Sequence, residues 1–200
     1  MSSGRVVLAS GNRGKLAEFE GLAADLGITL VSQGELDICG ADETGLTFVE
    51  NALIKARHAA RESGLPAIAD DSGLCVDALH GAPGLFSSRY AGTDGDSEAN
   101  NAKLLAAMTN IDTVERQAHF VCVLAYLRHP EDPSPIIAEG FWHGRILEAA
   151  RGNGGFGYDA LFFDPLLGLT AAEMPARTKR ALSHRGQAVS ALRRQLHRSM

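Results

Sequence analysis

Hydrophobic positions along the 200-residue chain change period several times, and each change marks an element. Val6 to Ala9 is a short apolar run that ends in Ser-Gly-Asn, after which Leu16, Phe19, Leu22, Ala23 and Leu26 recur at helical spacing up to Gly27. The pattern predicts strand, loop and helix, with Gly27 as the C-terminal cap and Ile28 to Ser32 as a second strand. The polar stretch 34–45, with Glu35, Asp37, Asp42 and Glu43, reads as a loop. Thr47 followed by Glu50 forms a capping box and predicts a helix running to Gly64. After Pro66, the apolar residues 67–69 predict a short strand that delivers Asp70, Asp71, Ser72 and Gly73 at its end. The segment "GAPGLFSSRYAG" reads as a glycine- and proline-rich loop, and "DSEANNAKLLAAM" as a helix.

Farther on, "FVCVLAYL" (120–127) is continuously apolar and suits a buried strand, whereas 136–147 is mixed; "HPEDPSP" between them predicts a wide hairpin. The glycine cluster "RGNGGFGYD" precedes another strand, "ALFF". A last helix begins at Ser183, with Ala188, Leu192 and Leu196 four apart. Helix crossovers together with a hairpin predict an α/β protein with a mixed sheet, and the absence of repeats or linkers predicts one domain over 1–200.

Composition narrows the classes. The chain is 45% hydrophobic and 22% charged, without an apolar run near 18 residues, so a soluble globular protein with a core is expected, outside the membrane. Met1 to Arg5 is polar and no secretory signal follows, which points to the cytoplasm. Cys39, Cys75 and Cys122 lack metal or redox spacing and read as reduced, mostly buried residues. A net charge of -5 argues against nonspecific binding to a nucleic-acid polymer, but not against a small polyanion met by a few local cations.

Four segments carry candidate chemistry. "ASGNRGKLAEF" (9–19) looks like a Walker A loop, yet Ala9 and Leu16 stand where that loop needs a glycine and a hydroxyl. If Asn12 caps the helix, Arg13 and Lys15 fall in its first turn, where each cation costs roughly 0.3–1 kcal/mol. The placement suits an anion docked on the N–H groups of the turn; an exposed turn with solvated cations is the alternative. His184 and Arg185 after Ser183 repeat the oddity, although His184 alone also reads as a packing histidine. "ADDSG" (69–73) sets adjacent carboxylates at a strand end, facing opposite sides, or else marks a turn. Asp42 or Glu43 offers a second carboxylate, and two carboxylates plus substrate phosphates suit Mg²⁺. In "GNGGFGYD" (152–159) the glycines permit close backbone approach, and Phe156 offers a face on which a base can stack.

Taken in order, "SGNRGK", "ADDSGL", "GAPGLFSSRYAG", "GFGYD" and "SHRG" resemble the inosine/xanthosine triphosphate pyrophosphatase family, the Ham1-like non-canonical purine NTP pyrophosphatases, over about residues 5 to 197. The resemblance implies an elongated mixed sheet flanked by helices, two lobes with a central cleft, and a homodimer. It implies hydrolysis of ITP, dITP and XTP to monophosphate and pyrophosphate with Mg²⁺, which cleanses the nucleotide pool. Ser10, Gly11, Asn12, Arg13, Gly14 and Lys15 would contact the nucleotide, with Lys15 on phosphate. Asp71 would be the catalytic acid and Ser72 would lie beside it on the substrate. Phe156, Gly157, Tyr158 and Asp159 would line the base pocket, with Phe156 stacking. His184 and Arg185 would read the 6-oxo group, and Lys179 and Lys15 would steady charge as water attacks the α-phosphate. Glu43, chosen over Asp42 by its place in "DETGLTF", would hold the metal with Asp71, and Asp70 or Glu43 would share the work of the base. Two other readings remain: a Maf-like pyrophosphatase acting on pyrimidine or modified nucleotides, and a non-catalytic nucleotide-binding protein.

Overall fold

The structure, a computed structural model, describes residues 4–10, 19 and 22–199. Seven strands are described: β1 (Arg5–Leu8), β2 (Thr29–Ser32), β3 (Ala67–Val76), β4 (Gln117–Leu127), β5 (Ile136–Ile146), β6 (Phe162–Asp164) and β7 (Leu169–Thr170). They form one sheet in the order β2-β1-β3-β4-β5-β6-β7. β1 runs parallel to β2, with Arg5 opposite Thr29, and parallel to β3, with Val7 opposite Ala67. β6 is antiparallel to both β5 and β7, so the sheet is mixed as the pattern predicts. The flanking helices are α1 (Phe48–Ser63), α2 (Ser97–Ala107), α3 (Ala176–Leu182) and α4 (His184–Ser199), and residues 22–26 are also helical.

By its contacts the chain divides into two compact units, one of residues 1–71, 122–140 and 185–200 and the other of 72–121 and 141–184. In the first unit, Val6, Leu8, Phe19, Leu22, Ile68, Leu124, Ala188, Leu192 and Leu196 close one apolar cluster, each large aliphatic contributing about 1.5–3 kcal/mol by leaving water. The four-residue spacing in α4 is the stripe that reaches this cluster. α1 begins where the capping box places it: Thr47 Oγ1 accepts from Glu50 N–H, and the Glu50 carboxylate takes Leu46 N–H at 2.8 Å. In the second unit Phe120, Trp142 and Phe162 pack ring to ring at 4.6–6.4 Å. Trp142 Nε1 donates to Asp164 at 2.9 Å, and buried Arg116 donates to the carbonyls of Met108, Ile146 and Leu147, tying the end of α2 to the sheet.

Several expectations need correction. β3 does not stop before the acids; it continues through Asp70 and Asp71 to Val76. Asp-Asp-Ser-Gly carries turn chemistry, but here the carboxylates meet Arg185 and Lys55, so the strand passes through them intact. The stretch 34–45 is not all loop, since Ser32 and Glu35 form a capping box on a 3₁₀ turn over Gln33–Leu36. β7 and α3 were not anticipated: β7 has two residues, and α3 is a short basic segment after Pro175 without an apolar period. Of the three cysteines only Cys122 is buried; Cys39 is exposed, and none forms a disulfide among the described residues. No described helix is long and apolar enough to cross a membrane.

The β4–β5 connection is organised by one acid. Buried Asp132 accepts from Arg128 N–H at 3.0 Å, from its guanidinium at 2.6 and 2.8 Å, and from Ser134 N–H at 3.0 Å. The Arg128 side chain, foremost, holds the Asp132 carboxyl far below its ordinary value of 3.8, against the cost of burial. A depressed carboxyl contributes stability above its unfolded pKa, and that contribution is lost as pH falls through the folded one. Asp132→Asn should therefore melt below the parent at pH 7, with the gap shrinking as the pH is lowered from 5 to 3. Coincident thermal melts at pH 7 would refute the role.

Candidate active site

In the first unit the capping box fixes the register of α1, and Asn51 and Lys55, four residues apart, come to lie on one face of that helix. Lys55 Nζ donates to Asp71 Oδ1 at 2.8 Å and to Glu43 Oε1 at 3.0 Å. Asn51, itself 2% exposed, joins the same group: its Nδ2 reaches Asp71 Oδ2 at 3.4 Å, and its Oδ1 takes Gly45 N–H at 2.8 Å. Asn51 thus ties the loop that carries Glu43 to the strand that carries Asp71. The approach is so close that a Cβ on Gly45 would lie 2.6 Å from Glu50 Cβ and 2.7 Å from Asn51 Oδ1.

The electrostatics follow from burial. Desolvation is the largest influence on Lys55 and opposes its charge, but the fields of Asp71, Asp70 and Glu43 and the bond to Asp71 outweigh it, leaving the ammonium above its ordinary range. Burial is also the largest influence on Asp71, and with the nearby charge of Glu43 it pushes the carboxyl up against the pull of Lys55 and Asn51. One cation shared by two acids suffices to keep Lys55 charged but not to cancel the cost of burying Asp71. Two carboxylates gathered by a single positive atom are the donor set a hard divalent ion takes when waters and phosphate oxygens complete its shell. No group of three or more His, Cys, Asp or Glu side chains placed to hold a metal by themselves occurs among the described residues, so an ion here would need those outside oxygens. Beside this set, Asp70 and Arg185, with side chains 1% and 5% exposed, approach at 3.5 Å.

In the second unit the glycine loop forms a separate group. Asp159 accepts Phe156 N–H at 2.7 Å and the Lys179 ammonium, and Lys179 Nζ stands 5.1 Å from the centre of the Phe156 ring. Phe156 is 58% exposed, an aromatic face presented outward, while Tyr158 turns into the core and donates to Ser87 C=O at 2.9 Å. Gly155 and Gly157 hold φ of 75° and 62°, which an L side chain adopts only with strain. His184 stacks on Phe120 with ring centres 4.7 Å apart.

This arrangement of motifs has counterparts. A model of the Ham1 family matches residues 6–195. The chain belongs to the Ham1 family. A dITP/XTP pyrophosphatase of Xanthomonas campestris pv. campestris is 60% identical over 192 residues, covering 96% of each chain. A dITP/XTP pyrophosphatase of Yersinia pseudotuberculosis is 56% identical, covering 92% of this chain and 94% of its own. Among solved structures, a HAM1 protein from Coxiella burnetii superposes with a TM-score of 0.93 at 48% identity, covering 98% of this chain and 99% of its own.

Within this Ham1-family chain, the residues singled out from sequence fall into distinct places. Gly11, Asn12, Arg13, Gly14 and Lys15 lie outside the described residues, and Ser10 is buried two residues after β1. Glu43 and Asp71 come together on Lys55, and Asp42 lies next to Glu43 in the same loop. Ser72 follows Asp71 in β3, half-buried. Asp159, Lys179 and Phe156 come together in the second unit. Arg185 sits inside the first unit against Asp70, and His184 inside the second against Phe120. Sequence reasoning missed Lys55 and Asn51. Their signal is present, because a lysine four residues after an asparagine in "NALIKA" falls beside the buried alanine stripe of α1 rather than on its solvated face.

Removing one partner of a buried ion pair costs about 3–5 kcal/mol, because the other charge is left in a poor solvent. Arg185→Ala takes a cation from beside buried Asp70. In a chain of this size it should lower the melting temperature by roughly 10 °C, measured by circular dichroism; a shift below about 2 °C would show that Asp70 does not depend on Arg185.

Proposed function

We propose that this protein is a non-canonical purine nucleoside triphosphate pyrophosphatase, which hydrolyses ITP, dITP and XTP to the monophosphate and pyrophosphate. The observation that carries the reading is the convergence of Glu43 and Asp71 on one ammonium in the first unit. The naming of the Xanthomonas and Yersinia relatives supports the substrate class. Glu43 and Asp71 would hold Mg²⁺, which when bound neutralises the triphosphate and makes the α-phosphorus open to attack. The reading carries with it the expectation of a cytoplasmic homodimer acting on the nucleotide pool.

The chain's own residues supply the rest. A carboxylate of this group takes the proton of the attacking water; Asp71, as a holder of the metal, shares that work with Asp70 or Glu43. Lys55 and Lys15 donate to phosphate oxygens as charge builds toward the leaving pyrophosphate. Phe156 is assigned to stacking on the purine, and Lys179, held by Asp159 beside that ring, stays close to it. His184 and Arg185 are assigned to the 6-oxo group; adenine offers an amino group there, and a site built on donors rejects it strongly because they would lose their acceptor.

Incubation with ITP, dITP, XTP, ATP, GTP, dUTP and dTTP plus Mg²⁺, with monophosphate, pyrophosphate and orthophosphate measured separately, tests the reading. Pyrophosphate should appear in equal amount to IMP or XMP, with ATP and GTP turned over at least about 100-fold more slowly by kcat/KM. Orthophosphate as the product, or a preference for dUTP or dTTP, would overturn it. Asp71→Asn should reduce kcat by roughly a thousand-fold; a rate near the parent's would remove Asp71 from the mechanism.

A further inference from the structure

The asparagine pair in "SEANNAKLL" plays no part in the reading above, yet its side chains hold both loops that border it. Asn100 Oδ1 takes Ala91 N–H at 2.6 Å and its Nδ2 donates to Ser88 C=O at 2.9 Å, fixing the "SSRYAG" turn. Asn101 and Ser97 fix the other loop at one residue. Ser97 Oγ accepts Gly157 N–H at 3.2 Å, and Asn101 Nδ2 donates to Gly157 C=O at 3.0 Å. Ser97 and Asn101 are four apart in α2, one above the other on the same face, so a single helical surface grips both backbone polar groups of Gly157, the residue that follows Phe156.

Two further facts give this grip a purpose. Gly157 has φ of 62° and Phe156 is more than half exposed, so neither ring burial nor backbone preference sets the direction in which the ring points. Besides the backbone bonds from Gly154 N–H to Ala172 C=O and from Asp159 N–H to Phe156 C=O, side chains hold the loop at Phe156 N–H, through Asp159, and at Gly157, through the α2 pair. In addition, Asn101 Oδ1 is buried and meets no donor among the described residues. The bond from Nδ2 to Gly157 dictates which way the amide faces, and the oxygen on the other side is left without a partner. A buried acceptor in that state lowers stability, so an asparagine kept there is explained by what it positions rather than by what it stabilises.

We infer that Ser97 and Asn101 are positioning residues for purine binding: they clamp Gly157 so that Phe156 presents its face to the base. The inference rests on the reading that Phe156 stacks on the purine. Asn101→Ala and Asn101→Asp, the second keeping the shape while losing the donor to Gly157, should each raise KM for ITP by roughly ten-fold, within what one stacked base commands. kcat should stay within about two-fold, because the reacting end is untouched. Asn101→Ala should melt no lower than the parent, since the oxygen without a donor leaves with the amide. In a double-mutant cycle Asn101→Ala should add nothing to the KM of Phe156→Ala.

An Asn101→Asp enzyme with the parent's KM would overturn the inference, as would an Asn101→Ala change that multiplies the KM of Phe156→Ala by its full single-variant factor. Falls in kcat and melting temperature that accompany the KM change would overturn it too, since they mark a residue that merely holds the fold. A Phe156→Ala enzyme with unchanged KM for ITP has a separate signature. It removes the stacking reading itself, and the clamp's purpose with it.

Discussion

An ammonium inside a protein must be compensated, and in the first unit that requirement organises everything around Lys55. Its side chain is 13% exposed, so water cannot supply the missing solvation; Asp71 and Glu43 do, at 2.8 and 3.0 Å. Satisfying the lysine obliges the chain to bring a mid-strand residue and a loop residue to one atom. The loop can comply because Gly45 permits contact with Asn51, and the strand can comply because Asn51 also reaches Asp71. α1 can comply because Thr47 starts it in the register that turns positions 51 and 55 inward. Capping box, glycine, asparagine and acids are consequences of one constraint.

The second unit meets a different demand, which is to hold an aromatic ring out of its core. Its interior is closed by Phe120, Trp142 and Phe162, and Tyr158 joins them, leaving Phe156 two residues away with no apolar reason to stay outside. Polar fixing replaces packing there. Asp159, Lys179, Ser97 and Asn101 each bond to the loop or stand against the ring, and the two glycines with positive φ let the backbone accept the path those bonds require. A loop positioned in this way keeps its shape without contributing much to the core.

Much of this was legible in the chain, and the parts that were not share a cause. The helix from Thr47 to Gly64 and the α4 stripe follow from local chemistry, because caps and 3.6-residue spacing act within a few residues. Glu43 with Asp71, and Asp159 with Phe156, were flagged by motif. The length of β3 was not legible: Asp-Asp-Ser-Gly is turn-like until the cations at positions 55 and 185 are known to answer it, and those lie 16 and 115 residues away. Lys55 escaped notice because one lysine in a helix resembles a solvated cation until the neighbouring acids are placed. Asn101 escaped because asparagine near a helix start reads as capping, and its partner Gly157 is 56 residues distant. Local signals reveal elements, while long-range polar pairing reveals which elements carry function.

Two of the points at which the chain passes from one unit to the other fall inside motifs that mark the family, between Asp71 and Ser72 and between His184 and Arg185. A single peptide bond there separates residues with different obligations. Arg185 answers buried Asp70 in the first unit, whereas His184 lies flat on Phe120 in the second. The motif "SHRG" therefore cannot be read as two interchangeable cations at a helix start. Its histidine is fixed by aromatic packing and its arginine by a buried carboxylate, so a change at either position acts first on the interior of its own unit.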